Sequence, residues 1–396
     1  MIAAFGDRIN QIALLSIVVY VTGNIAKYSA DIMFWAIMPS VILGPFAVGL
    51  IDRWNRQKTM ILSDAFRAIL ALSLPILMHF FHHHYVIYSV VFLIGVFSAL
   101  FAPCRLAILP NLLPQKLLMS ANAISSQAGT IASLAGMPIG GWIVENMGRE
   151  TSFEINAITY LLSAFCVSRL RLISNVEEDA RRRRYDYPIQ DFKAGIQYIW
   201  RVRPILFYVM FAGVVNCLVA IFFVSFLDYI GNILGQTVGG IMLLFGILAV
   251  GMGLGGLILS KFEKWGGQFL VPMLMMGGAG VGMMVLSKIY SPWSAAAVLF
   301  AIGFCAIMVL VPLDTFLQRN VPNELRGRVF VARGVLIGLA FLISLQFSKA
   351  LIYHWGVLWV LNWLGIASLA VGVVSAAFGW SMVASGCTKE TLSTPA

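Results

Sequence analysis

The sequence predicts an all-α integral membrane protein: twelve transmembrane helices in two pseudo-symmetric six-helix halves. Three observations predict it. First, 60% of the 396 residues are apolar and 11% charged, with a mean hydropathy of +0.88. A soluble surface of this size needs far more charge. Second, apolar runs of about 18 or more residues recur along the chain, each enough to cross a hydrocarbon core of roughly 30 Å. Such runs read as helices, not as the short alternating segments of membrane barrels. Third, basic residues alternate in density from one connection to the next, as they do where loops alternate between the two sides of a membrane.

The expected spans are 3–23, 32–51, 59–80, 85–105, 120–144, 152–170, 204–227, 237–260, 268–288, 293–313, 328–350 and 355–380. The first is the weakest, because only Ile9 to Val21 is strongly apolar and the chain opens almost inside the helix. Either this span is short or the natural start lies upstream of Met1. The stretch Gly44 to Lys58, GPFAVGLIDRWNRQK, sets the orientation. An apolar run stops at Asp52 and Arg53, turns through Arg56 and Lys58, and re-enters at Thr59. A tight basic loop of this kind belongs on the cytoplasmic side.

Counting outward from it, the inside connections carry Arg105 and Lys116, the run Arg181 to Arg184, Lys261 and Lys264, and Arg319, Arg326, Arg328 and Arg333. The outside connections carry only Lys27, Arg149, Lys288 and Lys349. Both termini are therefore expected in the cytoplasm. This asymmetry accounts for the net charge of +10, so nucleic-acid binding is not read into it. The domain reading follows: 1–171 is the first half, 172–203 a cytoplasmic linker, 204–381 the second half and 382–396 a tail. The linker reads as a solvated connector, with contact to anionic lipid as the sharper alternative.

The halves repeat. Pro103-Cys104-Arg105 running on to Pro114-Gln115-Lys116-Leu117 matches Pro312-Leu313-Asp314 running on to Pro322-Asn323-Glu324-Leu325. At nearly the same offset the Gly44–Lys58 hairpin falls on Gly251 to Gly267. Two six-helix halves in one orientation are a transporter plan, with substrate near the midplane between them.

Four stretches carry a resemblance: FGDRI (Phe5 to Ile9), the Gly44–Lys58 hairpin, the helix from Asn122 to Gly141, and VPNELRGRVF (Val321 to Phe330). On these the chain resembles a major facilitator superfamily transporter of the drug-exporter type, nearest the macrolide-efflux and enterobactin-exporter branch. The resemblance implies the major facilitator fold and efflux of an amphipathic organic compound (drug, macrolide or siderophore-like) by alternating access, with protons as the coupling ion. Uptake or lysolipid transport on the same fold is the alternative, and a non-transporting membrane sensor is the rival from another class. It also implies a multi-pass protein of the bacterial inner membrane acting as a monomer among membrane lipid, with no enzymatic activity and no cofactor.

The hairpin resembles the superfamily signature G-x-x-x-D-R-x-G-R-R/K. Asp52, Arg53 and Arg56 match it; Gly49 is one place too close, Asn55 replaces the inner Gly and Gln57 a basic residue. The resemblance implies a cytoplasmic gate, with Arg326 and Arg328 at the start of the eleventh span as partners. The repeat adds Arg105 and Asp314 as an ion pair across the halves. In the fifth span Gly136, Pro138, Gly140 and Gly141 resemble the exporter motif G-P-x-x-G-G with Pro one place late, and read as close helix packing.

Intramembrane acids are expensive and default to functional candidates. Asp7, four residues from Gln11, is the proton-coupling candidate, against a plain Asp7–Arg8 interfacial pair. Glu154 is a second candidate, against a solvated cap like Glu145 and Asp228. Asp64 and Arg67, three apart, read as a structural pair. Trp35, Met38, Phe211, Asn216, Phe222 and Gln346 are the candidates for the substrate cavity. The run His79, His82, His83, His84 has no ligand spacing and reads as an outer loop, so no metal is expected. No phosphate-cradling loop is present; Gly251 to Gly256 is intramembrane, which leaves an ion gradient as the energy source.

Overall fold

A computed structural model describes residues 2–17, 25–51, 54–80, 84–112, 138–170, 188–261 and 270–384, with single positions between 129 and 136. The first unit contains α1 (Ile2–Ile17), most of α2 (Ile25–Ile51), α3 (Arg56–Phe80), α4 (His84–Leu112), α5 (138–147) and α6 (Arg149–Ser168). Next come α7 (Pro188–Arg201), α8 (Arg203–Asp228) with a π turn at Tyr229–Ile233, α9 (Val238–Lys261), α10 (Leu270–Leu286), α11 (Pro292–Asn320), α12 (Asn323–Trp355) and α13 (Val357–Ala384).

Among the described residues eight helices are long and apolar enough to cross a membrane, and Val271–Leu286 is a shorter apolar helix. Several helices outrun the expected spans. The α4 helix continues to Leu112 and α12 starts at Asn323, because hydropathy marks the hydrocarbon crossing and not the end of hydrogen bonding. Ends are set locally. Pro204 and Pro292 open α8 and α11, where a missing N–H costs nothing. Gly356, at φ 77°, closes α12 in a backbone region that side chains avoid.

The chain divides into two compact units between Asp191 and Phe192, with Ile25–Ala30 grouped with the second. Within the first unit α3 packs on α4 and α6, and α6 packs on α1. Within the second, α10 packs on α11 and α13, and α13 packs on α8. Numbered by span, both units therefore share the pairings third–fourth, third–sixth and first–sixth, which is the repeat read from the sequence expressed as packing. The second unit also packs α9 on α11 and α8 on α12, and in the first unit the same second–fourth and first–fifth approaches occur, Gly95 of α4 against α2 and Gly140 of α5 against α1. Backbones touch where glycines face each other: a Cβ on Gly280 of α10 would stand 2.5 Å from the Gly365 carbonyl oxygen of α13, and the reverse holds.

The connector 172–203 is not all linker. Its second part is α7, whose Phe192, Ile196 and Ile199 pack with Ile205, Leu317, Val329 and Ala332 of the second unit. A Cβ on Gly195 would lie 2.7 Å from the Arg328 carbonyl carbon, so α7 rests on the α12 backbone. Lys193, Trp200 and Arg201 stay exposed on its other side.

Candidate functional site

The site begins with the face that α3 turns inward. Met60, Asp64, Arg67, Ala71 and Leu74 are buried at helical spacing, while Leu62, Phe66, Ile69 and Ile76 are exposed on the opposite side. For a membrane helix this is the expected inversion, with the apolar stripe toward lipid and charge toward protein. Asp64 and Arg67 are fully withdrawn, with side-chain exposures of 0% and 3%.

Arg67 is the hub. Its Nη2 is paired with Asp64 Oδ1 one turn earlier. Its Nη1 lies 4.0 Å from Asp7 Oδ2 on α1 and 3.5 Å from Ser98 Oγ on α4. The guanidinium lies between two rings, 4.5 Å from the centroid of Tyr160 on α6 and 4.6 Å from that of Phe101 on α4. Cation–π contacts of this kind strengthen when desolvated. The Tyr160 hydroxyl donates a hydrogen bond to Asp7 Oδ1. One guanidinium thus ties four helices together. Small residues allow it, because Ala3, Ala68, Ala71 and Ala157 pack around Tyr160. Gly6 presses so closely on α6 that a Cβ there would run into Asn156 and Thr159.

The charge count gives the cluster its chemistry. Asp7, Asp64 and Arg67 form a set that, fully ionised and counted by itself, carries one negative charge, with Arg8 beside Asp7 also attracting it. One proton makes it neutral. A buried charge without a partner is costly, and a proton is the smallest ligand that removes it. Asp7 is the member that can receive one from outside the bundle, since its side chain keeps 42% of its exposure.

Asp7 has partners beyond Arg8, its neighbour in the chain, which also attracts it. Arg8 Nη1 donates to Gln11 Oε1 at 3.0 Å, and Asp7 turns to α3 and α6. The Asp64–Arg67 pair is present but is part of a larger set. The sequence signal that could have joined them was available: three charged residues on spans that the packing brings together. Tyr160 gave no signal, because a tyrosine in an apolar run looks like packing.

The other candidates are placed as follows. Asp52 and Arg53 lie outside the described residues. Arg56 heads α3, and Arg105 is exposed on α4. Asp314 is paired with Arg333 at 2.5 Å within the second unit. Arg326 donates to the Val321 carbonyl at 3.4 Å, and Arg328 is half-buried. Glu154 is exposed on α6. Asp228, expected as a solvated cap, is instead buried and accepts a 2.9 Å bond from Asn232, because the π turn folds Asn232 back over it.

Gly136 and Gly140 both face α1: a Cβ on the first would meet Arg8 Cβ at 2.9 Å, on the second Ile12 Cδ1 at 2.7 Å. Gly141 is buried and Pro138 exposed. Trp35 and Met38 are half-buried on α2, as are Phe222 and Gln346 on α8 and α12. Phe211 is buried and stacks on Phe207 at 6.4 Å. Asn216 turns back to its own helix, donating to the Ala212 carbonyl at 2.8 Å. Among the described residues no group of three or more His, Cys, Asp or Glu is placed to hold a metal ion.

Paired helical units with charge buried between spans define a multi-pass membrane transporter. The profile of the Major Facilitator Superfamily matches residues 1–345, and the chain belongs to that family. It is therefore a transporter and not an enzyme.

Its sequence is 26% identical over 322 residues to the "Putative bacilysin exporter BacE" of Bacillus subtilis (strain 168), covering 78% of this chain and 77% of the other. It is 23% identical over 384 residues to the uncharacterized MFS-type transporter YfiS of the same strain, covering 94% and 90%. The lysophospholipid transporter LplT of Photorhabdus laumondii subsp. laumondii is 20% identical over 354 residues, covering 87% and 84%. The crystal structure of a mutant of the nucleoside transporter NupG superposes with a TM-score of 0.68 at 12% identity, covering 96% of this chain and 98% of that one. That likeness concerns the fold alone.

Proposed function

We propose that this chain is a secondary active exporter that moves an amphipathic organic compound out of a bacterial cell, through the inner membrane, in exchange for protons. The observation that carries the proposal is the Asp7–Arg67–Asp64–Tyr160 cluster, in which a half-exposed and a buried carboxylate share one guanidinium between helices. Protonation of Asp7 weakens its attraction to Arg67 and frees α1 from α3 and α6. Loss of the proton restores the tie. A charge that changes how firmly three spans hold together is a means of coupling a gradient to alternating access. Export, as the direction, is supported by the similarity to BacE.

The cytoplasmic gate expected at Asp52, Arg53 and Arg56, with Arg326, Arg328, Arg105 and Asp314, belongs to the same proposal and rests on the signature motif. The working unit is a monomer, as for the branch it resembles.

The test is transport into everted membrane vesicles, with and without an imposed proton gradient, across a panel of amphipathic drugs. Gradient-driven uptake by the wild type that is lost in Asp7→Asn supports the proposal. Transport by Asp7→Asn at the normal rate and pH dependence removes Asp7 from the mechanism. A second reading, movement of a lysophospholipid, is favoured by the similarity to LplT, so lysophosphatidylethanolamine belongs in the panel.

A further inference from the structure

We infer that a seam of buried polar groups between α1 and α6, made by Asn10, Ser152 and Asn156, holds internal water and relays protons to the Asp7–Tyr160 contact. The relay deepens the proton coupling proposed above and rests on that reading. Asn10 of α1 is 6% exposed, and Ser152 and Asn156 of α6 are 0% exposed. Among the described residues, Asn10 Oδ1, Ser152 Oγ and Asn156 Nδ2 have no hydrogen-bond partner of ordinary geometry. Hydroxyls in apolar helices commonly bond back to their own backbone, as Ser16 does to Ala13 and Thr159 to Asn156, both at 2.7 Å. Ser152 has no such bond. Packing alone needs neither amide nor hydroxyl, since Ala3, Ala13 and Ala157 are buried on the same two helices. Polar atoms withdrawn from solvent and left unpaired are costly, and a water with two to four polar neighbours removes the cost.

Helix direction lines the three up. Ala3 clusters with Tyr160, and a Cβ on Gly6 would stand 2.6 Å from Asn156 Oδ1, so α1 and α6 pack antiparallel. Each turn forward on α1 is a turn back on α6. Asn10, one turn after Gly6, therefore comes level with Ser152, one turn before Asn156. Four residues of helix rise about 6 Å, close to the length of two hydrogen bonds through one water. The seam starts at the coupling site: the Asn156 amide, short of an ordinary hydrogen bond, faces the Tyr160 hydroxyl that donates to Asp7. It leads away from Asp7 toward the start of α6, where Gly148 and Glu150 are exposed.

The groups that face Asp7 are Arg8 and the amino terminus from its own segment, Arg67 and Asp64 from α3, and Tyr160 from α6. Among them the Tyr160 hydroxyl is the neutral group that both gives and takes a proton. In the relay step the Tyr160 O–H bond breaks as an O–H bond forms on Asp7 Oδ1, and the tyrosine oxygen takes a proton from the seam water. That water takes one from the next, so a single proton passes from bulk solvent to Asp7 and no charge stays on the tyrosine. The amides of Asn10 and Asn156 hold the water in line and do not themselves carry the proton. Chains of buried polar groups are the usual means of moving protons within a membrane protein.

The experiment is infrared spectroscopy of the purified full chain in lipid. The carboxyl C=O band that disappears in Asp7→Asn reports protonated Asp7, and its shift after transfer to heavy water gives the rate of proton exchange. Asn10→Leu should slow that exchange about tenfold or more. Ser152→Ala removes the seam hydroxyl alone and should slow it several-fold, while Ser152→Thr keeps a hydroxyl and should exchange as the wild type does. The pH at which the band appears should stay the same in all three, which a general loosening of the site would not allow. Melting temperature checks the fold, and if Asn10→Leu does not fold, Ser152→Ala decides. An Asp7 band that appears at no pH sinks the coupling reading and the relay with it. A band that titrates as in the wild type and exchanges at the wild-type rate in the folded variants keeps the coupling and overturns the relay alone.

Discussion

Asp7 and Tyr160 meet across 153 residues of chain, the Tyr160 hydroxyl donating to the Asp7 carboxylate. The contact brings the first helix of the unit to its last, and Arg67 closes it from the third. Replacing Tyr160 by Phe removes the donor and keeps the ring that stacks on Arg67. A hydrogen bond to a charged group contributes about 1.5–3 kcal/mol, so the expected loss in gradient-driven transport is about tenfold or more. The pH profile should move at the same time, because the hydroxyl no longer favours the ionised carboxylate. A Phe variant with unchanged rate and profile would leave the bond without a role.

Removing Arg67 should damage the fold, not only the activity. Arg67→Met strands Asp64, whose side chain has no exposure, and breaking a buried pair from one side costs about 3–5 kcal/mol. Arg67→Lys should rescue little, since an ammonium cannot lie flat between Tyr160 and Phe101. Thermal unfolding in detergent measures both. The double variant Asp64→Asn/Arg67→Met should melt above Arg67→Met alone; a lower melting point would show that the ion pair is not what holds the site.

Glycines at backbone crossings should be intolerant, and others should not. Gly280→Val places atoms against the Gly365 carbonyl and forces α10 from α13, at a cost of about 1–3 kcal/mol. Gly253, on α9, has nothing within 4 Å of an added Cβ, so Gly253→Ala should leave stability unchanged or slightly raised. Yield of folded protein by size-exclusion chromatography, with melting temperature, separates the two.

Arg333 and Asp314 make a 2.5 Å pair between α12 and the later part of α11, with Asp314 53% exposed. Exposure screens the pair, so a double-mutant cycle with Arg333→Gln and Asp314→Asn should return about 0.2–1 kcal/mol of coupling. A larger effect on transport than on melting is expected if the pair belongs to the gate. Asp52→Asn tests that gate directly. Labelling rates of a cysteine introduced on the cytoplasmic side should rise about threefold or more, and unchanged rates would leave Asp52 as a topology marker only.

The fold was largely legible in the sequence. Hydropathy located the spans, and the Pro103–Leu117 and Pro312–Leu325 matches revealed the repeat that reappears as shared helix pairings. Helix ends were less legible. Asp31 falls inside α2 but outside the expected spans, because the helix starts seven residues before the expected span. The connector hid α7 for a related reason: half its face is polar, so its burial against Leu317 and Val329 does not show in mean hydropathy.

The site was legible only in pieces. Asp7, Asp64 and Arg67 stand out singly because charge within a span is costly wherever it occurs, and cost is a property of the residue and its place in the run. Which charges neutralise one another is a property of packing. The sequence offered Arg8 to Asp7 and kept Asp64 with Arg67, since neighbours along a helix are all it can see. The stacking of α1, α3, α4 and α6 added partners that neither neighbour could supply, making Arg67 a guanidinium shared by two carboxylates and two rings. The sequence by itself determined that this protein crosses the membrane as a repeated helical transporter, because transfer free energies are local and additive. The tertiary structure alone decided which charges meet, because a net charge belongs to the cluster and not to any one residue in it.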